Sequence, residues 1–472
     1  HVALGDNTTG AENTAVGYLA LNANSTATGN TGVGKSALVA NTTGDRNTAL
    51  GWSAMSVNVD GDRGVAVGYA ALQNQEPSSN ADTYNTAVGY AAGNAVTTGT
   101  DNTIVGGLAG DASTTGAGNT FIGKEAGSAN TTGGDNVAVG KGSLKTNTTA
   151  SNNIAIGKDA LELNTTGAAN VAVGNFALDS NTTANDNVAI GHDALQANTT
   201  GALNTAVGTS ALNANTTAAS NQAFGRRALY TNTTGTENNA FGYLALLNNT
   251  TGSYNVGVGV NALAANTTAA NNTAVGNAAL AANTTGTVNV AVGAQALDAN
   301  TTGSYNTAVG QGSLTASTTG TQNTAIGYQS GAGITGASNF NVAIGDETMI
   351  TSGVKSYNTA VGSDALRACT TGGSNVAIGY TALTANTDAG NNTAVGNFAM
   401  GVNTTGDRNV AVGANALDAN TTADANTAIG YRALSSNTTA ESNTAVGFDA
   451  LFANTTGADN TAVGALALDS NT

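Results

Sequence analysis

The sequence predicts an all-β chain, a parallel β-solenoid in which one 17-residue repeat makes one coil. Three observations carry that prediction. The motif N-T-A-V-G-x-x-A-L-x-x-N-T-T-G-x-x, numbered here 1 to 17, returns in strict phase along the chain. Its fourth position is a large, mostly β-branched or aromatic residue, as in Val16, Leu50, Ile122, Phe224 and Phe241, which is strand chemistry. Its fifth position is glycine in every copy, including Gly17, Gly191 and Gly464, as expected for a corner with positive φ or a close backbone approach. Known helical repeats run to about 33–47 residues, so this unit is too short for a helical hairpin.

The phase can be followed through the strand-opening asparagines. Asn13, Asn30 and Asn47 come first, and Gly64 takes the next slot. Gln73 to Tyr84 contain four extra residues and read as a protruding loop. The period then holds from Asn85 to Asn323, gains one residue before Asn341, and runs on to Asn460. No conventional domain boundary fits this phase, so residues 1–472 are expected to form a single repeat array, with irregular coils at 85–135 and 323–357.

Each fixed position has an expected task. Position 4 and position 9 (Leu21, Leu38, Leu161, Leu195) should stack coil on coil as the apolar core. The A-L segment reads as a second short strand in preference to a tight helical turn. Asparagines at positions 1 and 12 should stack as inward amide ladders. Position 15 is usually glycine, but Ala150, Ala184, Ala218 and Ala269 occur there, so it should not need positive φ. Alanines at positions 3 and 8 suit either a narrow interior or close contact between chains. Gly93, Gly110, Gly127 and Gly331 replace the core leucine. Each should cost its coil about 1.5–3 kcal/mol of burial, with Phe121 filling part of the void near Gly110 and Gly127.

Composition narrows the function. Charged residues make up 9% of the chain, aromatics 4%, and the net charge is −16. That balance disfavours nucleic acid, which needs clustered Lys and Arg, and the scattered acids read as a solubility charge. The single cysteine, Cys369, stands at position 12 as a small substitute for Asn. No apolar run approaches a membrane span and no signal peptide is visible. The chain opens inside one repeat and stops inside another, as expected of a mature or excised segment of a longer protein.

Little in the sequence supports catalysis. The histidines are His1 and His192. His192 has Thr209 as its ladder neighbour, which makes neither a triad nor a zinc site. The recurring glycines do not form a phosphate cradle. Asp159 and Asp193 fall at position 7 and Asp179 and Asp298 at position 10, without the coil-by-coil regularity of a calcium ladder. No carboxylate cluster of the glycosidase kind is present. The expectation is a non-enzyme without cofactor or metal.

Three surface patterns remain. Thr pairs at positions 13 and 14, such as Thr148-Thr149 and Thr165-Thr166, suit ice binding or simply their own ladder. N-T-T is a glycosylation acceptor pattern at Asn41, Asn130, Asn147, Asn164, Asn181 and Asn198, a role the inward-ladder reading disfavours. Tyr18, Tyr69, Tyr90, Tyr243, Tyr328, Tyr380 and Tyr431 share position 6, and Tyr254, Tyr305 and Tyr357 share position 17. Such rings suit contact with carbohydrate or protein, or shielding of a thin core.

The recurrent N-T-A-V-G-x-x-A-L, with variants such as Asn170-Val171-Ala172-Val173-Gly174 and Asn375-Val376-Ala377-Ile378-Gly379, resembles the head repeat of trimeric autotransporter adhesins, and similar repeats occur in phage tail fibres. The resemblance covers essentially the whole chain. It implies left-handed parallel β-rolls, associated as trimers, on bacterial or phage surfaces. The familiar head repeat is shorter; the N-T-T-G arm lengthens each coil here, and the segment carries no neck, coiled-coil stalk or anchor. The expected function is a structural or adhesive surface fibre, self-associating as a trimer or end-to-end filament, with a host-surface protein or glycan as partner. The alternative is a solenoid that binds ice or glycan through its Thr or Tyr faces.

Overall fold

The computed structural model describes residues 2–77 and 79–472, so His1 and the Ser78 portion of the inserted segment lie outside the described residues. Two compact units are present, His1–Glu237 and Asn238–Thr472. Each is a parallel β-solenoid built from three-residue strands. In the first unit these run from Thr14–Val16 to Gln222–Phe224, and in the second from Asn239–Phe241 to Thr461–Val463. Among the described residues every strand lies in the T-A-V segment and no helix forms.

Register is one coil per repeat. Val188, Ala189 and Ile190 pair in parallel with Thr205, Ala206 and Val207; Val290, Ala291 and Val292 pair with Thr307, Ala308 and Val309. Equivalent positions therefore stack at the ordinary strand spacing of about 4.8 Å. The four-residue insertion leaves this intact, since Val65 still pairs with Thr86. Most of the inserted segment folds back onto its coil. Gln75 fills the position-12 slot, fully buried, and bonds Asn85 Nδ2 at 3.0 Å. Ser79 and Asn80 are exposed.

The orientation of the strand reverses one expectation. Position 4 does not belong to the core. A strand alternates sides, and here position 3 is the inward one. Ala189 is fully buried while Ile190 keeps 40% of its surface exposed, and Leu50 and Ile122 behave in the same way. The interior is too narrow for a large residue on this wall, because the position-9 leucine of the facing wall occupies it. A Cβ added to Gly257, at position 3, would lie 3.3 Å from Leu246 Cγ. The core is thus Ala at 3 and 8, Leu at 9, and the two asparagines, all buried in the coil 187–203.

The A-L segment is not a second strand either. Asp193 and Leu195, at positions 7 and 9, have φ of 56° and 54°, and Leu203 at position 17 has 62°. Left-handed residues two apart make a tight turn, not an extended chain. This pattern explains the glycines at position 9. Gly93, Gly110 and Gly127 keep the left-handed φ (58°, 49° and 59°) and lose the steric penalty. Their lost volume is returned from position 3, where Ile104 and Phe121 replace alanine and are fully buried. Phe121 carbons lie 2.8 Å and 2.7 Å from where a Cβ on Gly110 or Gly127 would stand. These coils are therefore refilled rather than thin. At Gly331 the refill comes from Ile334, buried at position 12.

Both asparagine columns point inward, as expected. Asn198 Nδ2 donates to Asn181 Oδ1 at 3.1 Å and to the position-15 carbonyl of Gly201 at 2.9 Å. Asn187 Oδ1 accepts the backbone N–H of Asn204 at 3.0 Å, while Asn204 Nδ2 reaches across the coil to the Ala218 carbonyl at 2.9 Å. Asn215 Nδ2 meets the same carbonyl at 3.0 Å. Two amides thus converge on one carbonyl and close each coil.

At position 5 glycine is required twice over. Gly191 has φ of 135°, and a Cβ there would stand 2.6 Å from the Gly208 carbonyl oxygen. Position 15 has no such φ, in line with its alanines. Gly191→Ala should therefore lose about 1–3 kcal/mol from backbone strain alone. Gly167→Ala carries no such strain, but its Cβ would press on the Ala184 carbonyl oxygen. Coils with Ala150 or Ala184 relieve that contact by a small shift, so its loss should be the smaller of the two. Hydrogen-exchange protection of the flanking coils measures both. Ladder repair is the converse test. Asn300 Oδ1 and Ser317 Oγ are buried without hydrogen-bond partners where serine interrupts column 12. Ser317→Asn should pair Asn300 Oδ1 but leave its own Oδ1 facing Ile334 on the next rung. The net gain should therefore stay below about 1 kcal/mol, read from the same exchange rates.

Candidate interaction surface

Because position 3 faces inward, positions 2 and 4 both face solvent. Within each unit they form a stripe of threonine and β-branched apolar side chains, one pair per coil. Ile156 and Ile190 in the first unit and Ile378 and Ile429 in the second are each 39–40% exposed. A contiguous exposed apolar stripe is unusual on a monomeric surface. The glycine corner separates it from position 6.

The position-6 column holds the seven tyrosines singled out from the sequence, Tyr18, Tyr69, Tyr90, Tyr243, Tyr328, Tyr380 and Tyr431, and all are exposed. The structure brings some of them into ring groups. Tyr69 and Tyr90 stack with centroids 5.2 Å apart, and Trp52 meets Tyr69 edge-on at 5.5 Å. Tyr431 stacks on Phe448 at 5.7 Å, and Tyr380 meets Phe398 edge-on at 5.6 Å. Trp52 and Phe448 share position 6, so the same phase that picked out the tyrosines would have found them. Phe398 is at position 7, and only proximity across one coil brings it in. At position 17, Tyr254, Tyr305 and Tyr357 are also exposed, and Tyr357 stacks on Phe340 at 5.3 Å.

A second feature arises where a column is interrupted. Gly401 stands at position 10 between Thr384 and Asp418. The gap opens a cavity of about 420 Å³, lined also by Phe398, Val402 and Asn415. Asp418 Oδ1 accepts a hydrogen bond from Ser435 Oγ at 2.6 Å. Beside this site Asp449 binds Arg432 through both oxygens, which holds the guanidinium pKa above its ordinary value.

The remaining candidates separate cleanly. Asn41, Asn130, Asn147, Asn164, Asn181 and Asn198 are all fully buried in the column-12 ladder, so a folded coil does not present their amides to a glycosylating enzyme. The position-13 hydroxyls are taken up by the ladder, as when Thr148 Oγ1 donates to the Thr165 carbonyl at 3.1 Å. That leaves position 14 as the outward Thr column, with Thr149 exposed like Thr132 and Thr166. His192 Nδ1 lies 2.8 Å from Asp193 Oδ2, with its ring against Phe176. Asp179 is half-buried, and desolvation raises its carboxyl above the usual range. Lys124 and then Lys145 hold the Glu125 carboxyl below it. Among the described residues no three His, Cys, Asp or Glu side chains converge to hold a metal ion, and no helix is long and apolar enough to cross a membrane.

No family model matches the chain, and no curated protein is significantly similar to it in sequence.

Cys369 occupies the ladder slot expected of it. It is fully buried, and its thiol donates to the Gly372 carbonyl at 3.5 Å. Burial pushes the thiol up to about 11, against smaller opposing effects of the Gly372 and Asn386 bonds. Between roughly pH 9 and 11 the unfolded thiol ionises while the buried one keeps its proton. The folded state binds more protons there, so stability falls as pH rises through that window, by about 2–3 kcal/mol in all. Cys369→Ser should lack this component when unfolding is compared at pH 8 and pH 11. The native thiol should also be silent to an aromatic disulfide reagent at pH 8 and react fully after denaturation.

Proposed function

We propose that the chain is a non-catalytic structural element of a surface fibre, associating laterally with copies of itself through the stripe formed by positions 2 and 4. The observation that carries this reading is the inverted strand. The large apolar residue at position 4 of the strand faces solvent, while position 3, usually alanine, faces the interior. Burying the exposed remainder of one such side chain contributes on the order of 1 kcal/mol. Repeated over many consecutive coils, that total exceeds the cost of association. Equal spacing of the rungs makes the stripe complementary to another copy of itself. Small residues at the glycine corner permit close approach.

The resemblance to trimeric autotransporter heads and phage tail fibres supports the same reading and favours a trimer over an end-to-end filament. It also favours an extracellular, cell-surface or virion location. On such a shaft the exposed tyrosines of position 6 are the natural adhesive contacts to a host protein or glycan. A chain of net charge −16 suits neither nucleic acid nor insertion into a membrane.

A second reading, glycan binding, is favoured by the cavity at Gly401. An aromatic wall beside a carboxylate, an amide and a hydroxyl is the lining a pyranose ring requires, and the volume falls within the usual range for ligand sites. Phe398→Ala should abolish any glycan-array signal that this cavity produces.

The principal test is sedimentation of the wild type beside the double variant Ile156→Lys, Ile190→Lys. Wild type should sediment as a discrete oligomer at micromolar concentration. The variant should associate at least about tenfold more weakly with an unchanged circular dichroism spectrum, since two rungs of the stripe are lost and both side chains are partly exposed in the single chain. A monomeric wild type at the highest soluble concentration would refute lateral association.

A further inference from the structure

Column 6 of the first unit carries an interrupted stack. Trp52, Tyr69 and Tyr90 occupy three successive rungs, and their rings form one continuous group. One end of this group is capped by a cation from the adjoining rung, Lys35, whose Nζ lies 4.7 Å from the Trp52 ring centroid. The other end is open. The rung after Tyr90 is Gly107, and a Cβ added there would meet nothing within 4 Å. Tyr90 is accordingly 60% exposed, more than Tyr69 at 44%. On the rung beyond the gap stands Lys124, with its Nζ held 3.2 Å from Glu125 Oε1. Flanking the empty rung on its own coil are two half-buried apolar side chains, Val105 and Leu108.

The dimensions of the gap follow from the ladder. Tyr90 and Lys124 are two rungs apart, roughly 9.6 Å at the usual strand spacing. One rung accommodates one ring, as the 5.2 Å between Tyr69 and Tyr90 shows. A ring placed on the vacant rung would lie about 5 Å from Tyr90, within the range for aromatic pairs. Lys124 is rooted one rung away, and its side chain is long enough to swing its ammonium from Glu125 into cation–π range of that ring. The far end of the same column shows this arrangement already made by Lys35 and Trp52.

We propose that the vacant rung at Gly107 is a binding slot for a single aromatic ring, stacked on the open face of Tyr90 and roofed by the Lys124 ammonium. The cation on the far side selects an aromatic ring over a pyranose. A sugar can stack its C–H face on Tyr90 but offers no π face to Lys124. The slot does not depend on lateral association, because positions 6 and 4 lie on opposite sides of the glycine corner.

The experiment titrates the full chain with p-cresol and follows the upfield ring-current shift of its aromatic protons. Saturable binding is expected. Gly107→Tyr should weaken it at least about fivefold, because the new ring fills the rung that the probe would take. This variant keeps the fold: Gly107 has no positive φ, and other coils carry tyrosine at position 6. Tyr90→Ala should cause a similar loss. Lys124→Ala should weaken binding about two- to fivefold, the range of an exposed cation–π contact. N-acetyltyrosinamide, tested in parallel, separates the sources of the ring. Tighter binding than p-cresol assigns it to a polypeptide side chain and equal binding to a free aromatic compound, and either supports the slot. Shifts unaltered by Gly107→Tyr would overturn the proposal. So would methyl β-glucoside binding as tightly as p-cresol with the same response to the variants.

Discussion

Closure of each coil rests on two asparagines and one carbonyl. The interior holds two alanines and a leucine per coil, too little apolar surface to define a circuit of this length. What fixes the circuit is the convergence of the position-1 and position-12 amides on the position-15 carbonyl, as Asn204 and Asn215 do on Ala218. Buried amides are tolerable only when satisfied, because each unpaired one costs about 1–3 kcal/mol. Stacking satisfies them: where asparagine follows asparagine, the Oδ1 is taken by an N–H of the neighbouring coil, and Asn300 Oδ1 loses its partner where Ser317 interrupts the column. The unit of stability is therefore the pair of adjacent coils, as in other quasi-one-dimensional arrays.

The same ladder tolerates a strained backbone. In a coil such as 187–203 three non-glycine residues, Asp193, Leu195 and Leu203, sit at positive φ. Left-handed backbone costs roughly 1–2 kcal/mol for an ordinary residue, which an isolated coil would not withstand. Hydrogen bonds to both neighbours offset it. Leu195 N donates forward to the Ala211 carbonyl at 2.9 Å, and Asp193 N donates back to the Asn175 carbonyl at 3.1 Å. Glycine at position 9 relieves the strain but empties the core, which is why it appears beside Ile104 and Phe121. Strain and volume are balanced between opposite walls of adjacent coils.

The period, the parallel register, the inward asparagines and the glycine corner were all legible in the sequence, because each depends on a residue type that recurs at fixed spacing. The direction of the strand was not. Hydrophobicity assigned Val and Ile of position 4 to the core, and only the width of the interior, set by Leu at position 9, forces Ala189 inward and Ile190 outward. The A-L segment was misjudged for a related reason. Leucine is an unusual residue for left-handed backbone, so nothing local announces the turn at Leu195. On the surface, the tyrosines of position 6 could be picked out by phase. Their grouping with Trp52 or Phe398 could not, since it depends on which rungs happen to be occupied together.

This division between interior and exterior columns has a consequence for how such a chain acquires chemistry. Columns 1, 3, 5, 8, 9 and 12 are constrained by contact with their own copies above and below. Columns 6, 7 and 10 meet solvent, and their residues vary freely: position 6 alone carries Tyr18, Lys35, Trp52, Gly107, Lys124 and His192. A recess on a regular solenoid surface then needs no loop and no change of backbone. One glycine in an outward column suffices, as at Gly401, where the flanking rungs Thr384 and Asp418 become the walls. Ring or charge identity at those walls decides what enters. A single substitution on one rung can therefore create a site while leaving every ladder bond in place, so surface function in this fold changes without cost to the coil beneath it.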